Sequence, residues 1–271
     1  MKKLTSILIL AFSIFIQNVA FAQTETQDIK NANKREIENT AFKVGEYLKY
    51  RIHYGFIDAG IAELKVESKK SVQNRPAFHI VGTGRTTGMA EWFFKTRDRY
   101  ETFVDVDSMV PLEFIRDVDE GGFKINRHII FNHQENKAID LQDNKKSFSI
   151  FENAQDLLST FYYARCLNVK NIKVGEQIPV SMFLDHEMFT FSFKYLGEEI
   201  LSTDKGKIKC KKFTPLVQEG RVFNEKEGMT LWVSADKNQV PVRLETELAV
   251  GSITIDLVEY KNLRYPIVFR K

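Results

Sequence analysis

The sequence predicts an all-β, mostly antiparallel fold, built from two duplicated β-units and curled into a barrel or stacked as a sandwich. Three observations lead there. Lys43-Val44-Gly45-Glu46 recurs 130 positions later as Lys173-Val174-Gly175-Glu176, and Val110-Pro111 recurs as Val240-Pro241 at the same offset. Long runs alternate apolar and polar residues, as in Leu48 to Tyr54, Phe189 to Tyr195 and Val240 to Leu248. One-faced strands of that kind belong to antiparallel sheets wetted on one side, because buried parallel strands are apolar throughout. Turn-forming clusters, Asp119-Glu120-Gly121-Gly122 and Asp236-Lys237-Asn238-Gln239, separate the runs.

Taken in order, residues 1–22 read as a secretory signal. Lys2 and Lys3 precede the apolar stretch Leu4 to Ile16, and Ala20-Phe21-Ala22 supplies a small-x-small cleavage site. The mature product is therefore expected to be exported, periplasmic or secreted, with no transmembrane segment. Removing Lys2 and Lys3 lowers the net charge from +3 to +1, so no general field for nucleic acid exists. Residues 23–41 are polar and aperiodic and read as a mobile leader. A single β domain is expected over 42–271, with repeats at about 43–150 and 173–262.

Within the repeats, Leu48, Tyr50, Ile52 and Tyr54 map onto Ile178, Val180, Met182 and Leu184. Phe78, Ile80, Leu112 and Phe114 map onto Ile208, Cys210, Val242 and Leu244. Ala62, Leu64 and Val66 fall on Ser192, Lys194 and Leu196, a drift that calls for one hairpin to differ by a residue. Two segments read as helices. Residues 153–167 carry a capping Asn153, with Asp156 three on, and an apolar stripe of Leu157, Leu158, Phe161 and Tyr162. Residues 88–95 form a shorter candidate with Met89, Trp92 and Phe93. The longer helix is placed to link the repeats.

Catalytic constellations are scarce. Gly82-Thr83-Gly84-Arg85-Thr86-Thr87-Gly88 has the wrong spacing for a dinucleotide loop and no β-α-β context. There is no phosphate loop and no Gly-x-Ser-x-Gly elbow. Asp185-His186-Glu187 offers metal-binding residue types, but adjacent strand residues face opposite ways and a polar turn accounts for the trio. No cofactor, metal or catalytic residue is expected, and the chain reads as non-enzymatic. A hydrolase with an unrecognised carboxylate pair stays an alternative, because spacing along the chain does not encode separation in space. Cys166 and Cys210 permit one disulfide in an exported protein, or two buried thiols.

Charge concentrates in Arg97-Asp98-Arg99-Tyr100-Glu101 and in the trio Arg116, Glu120 and Arg127. Arg116 and Arg127 stand among apolar neighbours of their own strands. Either they point inward to an anionic head group, or they pair with acids across the hairpin or snorkel at the rim. Of 22 Phe, 19 remain after the signal is removed. They can fill a core or line a hollow wide enough for an acyl chain. On the hollow reading, Phe189, Phe191, Phe193 and Tyr195 form an aromatic face, Trp92 and Phe93 cap it, and Arg116 and Arg127 hold the head group.

The Val44-Gly45-Glu46 opening, the strand Val110-Pro111-Leu112-Glu113-Phe114-Ile115-Arg116 before Glu120-Gly121-Gly122, and the closing stretch resemble one known family. That closing stretch runs from Leu231-Trp232-Val233-Ser234-Ala235-Asp236 through Val240-Pro241-Val242-Arg243 to Val250-Gly251-Ser252. The family is DUF3108, and the resemblance covers nearly all of residues 42–262. It implies an exported, curved antiparallel β fold and carries over no catalytic residues. The curved, apolar-floored pattern is also similar in shape to periplasmic lipoprotein carriers. The expected function is binding of an apolar or lipid-like ligand in the bacterial envelope. The alternative is an envelope scaffold or assembly protein with a solid core and a protein partner.

Overall fold

The computed structural model describes residues 35–217, 228–248 and 250–271. The expected signal at 1–22 lies outside them. Among the described residues, 14 strands form one antiparallel sheet. The first meander comprises β1 (Tyr47–Tyr54), β2 (Ile57–Val72), β3 (Arg75–Thr86), β4 (Thr96–Asp105), β5 (Pro111–Glu120), β6 (Phe123–Asn132), β7 (Lys137–Asp140) and β8 (Lys146–Ser149). The second comprises β9 (Gln177–Leu184), β10 (Glu187–Thr203), β11 (Gly206–Val217), β12 (Met229–Ser234), β13 (Pro241–Glu247) and β14 (Ser252–Lys261). Each strand pairs with its sequence neighbours, and the two meanders join where β1 pairs with β14. The edges are β8 and β9, and no continuous ladder closes the sheet between them. The segment that follows β8 nonetheless reaches β9. The Gln155 N–H donates to the Ser181 carbonyl at 2.8 Å, and the Phe183 N–H donates to the Gln155 carbonyl at 2.8 Å.

Strands β9 to β14 repeat the order of β1 to β6. The turns joining β1 to β2 and β9 to β10 are both two residues long, Gly55-Phe56 and Asp185-His186. The one-residue difference expected between the hairpins is present, and it lies in a bulge and not in the turn. Ile52 pairs with Gly60 and His53 with Asp58, leaving Ala59 unpaired, whereas β9 and β10 pair without interruption. One extra residue reverses side-chain parity, so Ala62 and Leu64 face inward where Ser192 and Lys194 face outward. Further bulges at Glu67 in β2 and Leu196 in β10 reset the alternation.

Two helices complete the fold, α1 (Gly88–Phe93) and α2 (Leu157–Cys166). The cap of α2 is Asp156, which accepts from the Ser159 N–H at 2.7 Å, while the Asp156 N–H donates to Ser159 Oγ at 2.8 Å. This reciprocal box satisfies two otherwise orphaned donors, and the helix starts there instead of at Asn153. Helix α2 lies on the concave face of the sheet, burying Leu158, Tyr162 and Arg165. Gly82 permits the approach, since a Cβ there would stand 2.9 Å from Leu158 Cδ2. The glycine-rich segment thus belongs to strand β3 beneath a helix.

The expected leader, 23–41, overlaps the described residues at 35–41, and these are held against the domain. The Ile37 N–H donates to the Asp107 carbonyl at 2.8 Å and Arg35 Nε to the Ser108 carbonyl at 3.0 Å. Ala41 and Phe42 are buried, with the Phe42 ring edge-on to Tyr162 at 4.8 Å. On the convex face, the C-terminal segment lays Ile267 and Phe269 over Leu201, Ile208, Cys210, Trp232 and Val242. Ile208 and Cys210 therefore belong to an outer core, while Phe78 and Ile80 belong to the inner one. Cys166 and Cys210 are separate free thiols, each pushed up to about 12 by burial.

Candidate functional site

The curled sheet does not close down fully on α2. Between helix and sheet lies a cavity of about 380 Å³, with a wall that is overwhelmingly apolar. Inward-facing residues of both meanders build it: Tyr50 and Ile52 of β1, Leu64 of β2, Phe191 and Phe193 of β10, Phe213 of β11 and Ile255 of β14. Leu157, Leu158 and Phe161 of α2 form the opposite wall. Period-two alternation explains why so many strands contribute one or two residues each. The Phe191 and Phe193 rings meet edge to face at 5.2 Å.

One end of the cavity is sealed by a buried ion pair. Arg165 NH1 and NH2 donate to Glu46 Oε1 and Oε2 at 2.6 and 2.9 Å, and both side chains are essentially inaccessible. Arg165 Nε also donates to the Asn238 carbonyl at 3.1 Å, and Gln239 Nε2 donates to the Leu167 carbonyl at 3.1 Å. The guanidinium lies within 5.3–5.8 Å of the Phe42, Phe161 and Tyr162 ring centres. The first Val-Gly-Glu motif thus ties the C-terminal end of α2 to the sheet. Its counterpart Glu176 only closes its own turn, accepting from the Lys173 N–H at 3.1 Å.

The other end of the cavity reaches Thr86, Thr96 and Asp98, next to α1. Thr96, Asp98 and Tyr100 share the inward face of β4. Asp98 is 9% exposed, and its carboxyl is pushed up to about 7 by burial first and by the neighbouring Glu120 second. A hydrogen bond from the Asp119 backbone and the nearby Arg116 charge act in the opposite sense without overcoming them. The β1–β2 turn, α1 and the start of β6, around this end, carry exposed apolar side chains, Phe56, Trp92, Phe93 and Phe123.

The sequence-predicted site residues divide between these surroundings. Phe191 and Phe193 line the cavity. Phe189 is buried on the same strand against Val180 and Leu184, and Tyr195 tilts against Phe213 at 5.3 Å, flanking the cavity-lining pair on the same face. Trp92 and Phe93 are 88% and 86% exposed on α1, which buries no residue and covers no part of the β10 aromatic face. The expected cap is corrected accordingly.

Arg116 and Arg127, cross-strand partners in β5 and β6, do not line the cavity, although the Arg116 guanidinium lies 5.8 Å from the ring centre of Tyr100, which does. Arg116 NH1 meets Asp185 Oδ1 at 2.6 Å, and Arg127 Nε lies 3.6 Å from Asp140 Oδ2. His186 joins Asp140 at 2.8 Å and stacks on Phe148 at 4.2 Å. These contacts clasp the β9–β10 turn to strands β5 to β8. The gap they enclose measures about 10 Å³, room for a single water at most. An anionic head group has no place there, and that expectation is corrected. Asp185 and His186 both adopt positive φ, 48° and 68°, as a two-residue hairpin turn requires.

Residues that sequence reasoning passed over are Glu46, Arg165 and Leu64. Nothing in strand periodicity marks a Glu and an Arg 119 positions apart as partners. Asp98 lay inside the charged cluster at 97–101, and alternation alone separates it from Arg97 and Arg99. Among the described residues, no three His, Cys, Asp or Glu side chains come together to hold a metal ion. No helix among them is long and apolar enough to cross a membrane.

These features define a class: a curled antiparallel sheet wrapped around an internal helix, with an apolar hollow between them. The chain belongs to DUF3108, a protein family of unknown function, which it matches over residues 49–258. Among solved structures it is similar to a β-barrel-like protein of the domain of unknown function DUF1849 from Brucella abortus. That similarity covers 83% of this chain and 100% of the other, at 8% identity and a TM-score of 0.55, and concerns the fold alone. A DUF1089 family protein from Pseudomonas aeruginosa matches 68% of this chain and 88% of its own, at 9% identity and a TM-score of 0.41. No curated protein matches the chain.

Proposed function

We propose that this protein is an exported, non-enzymatic binder of a single-chain apolar or lipid-like ligand in the bacterial envelope. The apolar cavity between α2 and the sheet carries the proposal. Its volume of about 380 Å³ falls within the ~300–1,000 Å³ of small-molecule pockets. It is more than twice the ~150 Å³ that admits benzene in an engineered core. A hollow of this size forgoes the dispersion contacts that a filled core would make, and an apolar guest restores them. Export rests on the charged start, apolar stretch and cleavage site within residues 1–22.

Titration with N-phenyl-1-naphthylamine, which fluoresces in apolar surroundings, tests this reading. The wild type should bind one equivalent. Leu64→Trp, which fills the hollow, should abolish the signal while the protein stays folded by circular dichroism. Equal signal from both proteins would sink the proposal.

A second reading, an envelope scaffold or assembly protein, draws on the exposed Phe56, Trp92, Phe93 and Phe123 around one end of the fold. Protruding aromatic side chains of this kind suit a protein partner.

A further inference from the structure

Two polar groups disturb the apolar wall of the cavity. Most polar side chains around it are satisfied within the protein. Tyr50 donates its hydroxyl to the Pro241 carbonyl at 3.0 Å, and Thr160 donates to the Asp156 carbonyl at 2.7 Å. Thr86 Oγ1 accepts from the Thr96 N–H at 3.0 Å. Among the described residues, the buried side-chain oxygens of the cavity wall without a hydrogen-bond partner are Thr96 Oγ1 and Asp98 Oδ1. Thr96 is 5% exposed and Asp98 9%. They stand two positions apart on β4, so both project from the same face, at the end of the cavity away from the Glu46–Arg165 seal.

A buried polar atom without a partner is costly, and native proteins keep few of them. Two, side by side in one hollow, are accounted for if a ligand completes them. Above about pH 7, where Asp98 is ionised, its carboxylate only accepts, while a threonine hydroxyl accepts or donates. The complement is thus a group that donates hydrogen bonds. A carboxylate or phosphate head would instead meet Asp98 as a like charge in a poorly solvated place. Of the arginines that line the cavity, Arg165 is engaged with Glu46 and Arg243 with Asp256, and Arg85 is exposed to solvent.

Resting on the apolar-ligand reading above, we infer that Thr96 and Asp98 form the head-group subsite of this cavity. Its ligand is a single-chain amphiphile whose head donates hydrogen bonds, a hydroxyl or amino group, and is not an anion. The chain lies along Phe191, Phe193 and Leu64, and the head reaches β4.

Competition at one chain length tests the assignment. Decanol, decylamine and decanoate are each used at pH 8, where Asp98 is ionised, to displace N-phenyl-1-naphthylamine from the wild type, Asp98→Leu and Asp98→Asn, all below their aggregation concentrations. In the wild type, decanol and decylamine should each displace the probe at about tenfold lower concentration than decanoate, the size of one charge-assisted hydrogen bond. Asp98→Leu should remove that preference while still binding the probe. Asp98→Asn, closer in shape, should lose the decylamine advantage and keep that of decanol. Decanoate competing as well as the other two in the wild type would overturn the subsite and leave the apolar cavity standing. Failure of the wild type to bind the probe at all would overturn both.

Discussion

Cutting the tie between Glu46 and Arg165 is the perturbation whose outcome is best fixed by the structure. Arg165→Met keeps much of the side-chain volume but removes both donors held by the Glu46 carboxylate, at 2.6 and 2.9 Å. Glu46 is then left as a charge at 0% exposure with no counter-ion. Breaking a buried pair on one side costs about 3–5 kcal/mol, most of it the penalty on the stranded partner. The lost hydrogen bond to the Asn238 carbonyl adds about 1 kcal/mol. For a domain of this size each kcal/mol lowers the melting temperature by about 2–4 °C, so a fall of roughly 8–24 °C is expected. Urea unfolding followed by tryptophan fluorescence, at matched m-values, measures the difference. The companion Glu46→Leu should be similarly damaging, because it strands Arg165 among the Phe42, Phe161 and Tyr162 rings. Removing both charges together should recover most of the loss, since two apolar residues strand nothing. The reasoning is refuted if Arg165→Met lies within about 1 kcal/mol of wild type, or if the double variant is as unstable as the two single losses summed.

Other outcomes follow from the same geometry. Asp98 has a folded-state pKa raised from 3.8 to about 7, so the native state binds the proton more tightly than the unfolded chain. Its contribution is fully present below about pH 4 and is lost as pH rises through about 7; Asp98→Asn should therefore gain stability relative to wild type over that window, and parallel urea midpoints at pH 4 and pH 8 would refute this. Gly82→Val should destabilise by about 1–3 kcal/mol in urea titration, because its side chain would collide with Leu158 of α2. An unchanged midpoint would mean the helix is not seated on β3. Trp92→Ala and Phe93→Ala should each fall within about 0.5 kcal/mol of wild type in the same assay, since both side chains lie in solvent.

Much of the architecture was legible because β-structure writes its faces into the sequence at period two. The two Lys-Val-Gly-Glu motifs and the alternating runs located β1 and β9, and Asn153 to Leu167 bracketed α2. The Ala59 bulge was visible only as a parity slip at Ala62 and Leu64, because a bulge leaves no composition signal of its own. The clasp of Arg116 and Arg127 to Asp185 and Asp140 was not legible. It depends on how far the sheet curls, and only that curl brings the β9–β10 turn onto β5 to β8. For the same reason, aromatic content told of Phe191 and Phe193 facing inward without telling that a hollow stands before them. Asp98 was legible in direction, since alternation turns it away from Arg97 and Arg99, but not in what it faces.

Native mass spectrometry of the protein, purified without detergent from the cells that make it, tests the central claim most directly. The account predicts a population carrying one small-molecule adduct per chain, which extracts into organic solvent as an amphiphile with a hydroxyl or amino head. Leu64→Trp purified in the same way should lack that adduct. A wild-type spectrum holding only the bare chain, or the chain with a bound protein and no small molecule, would contradict it.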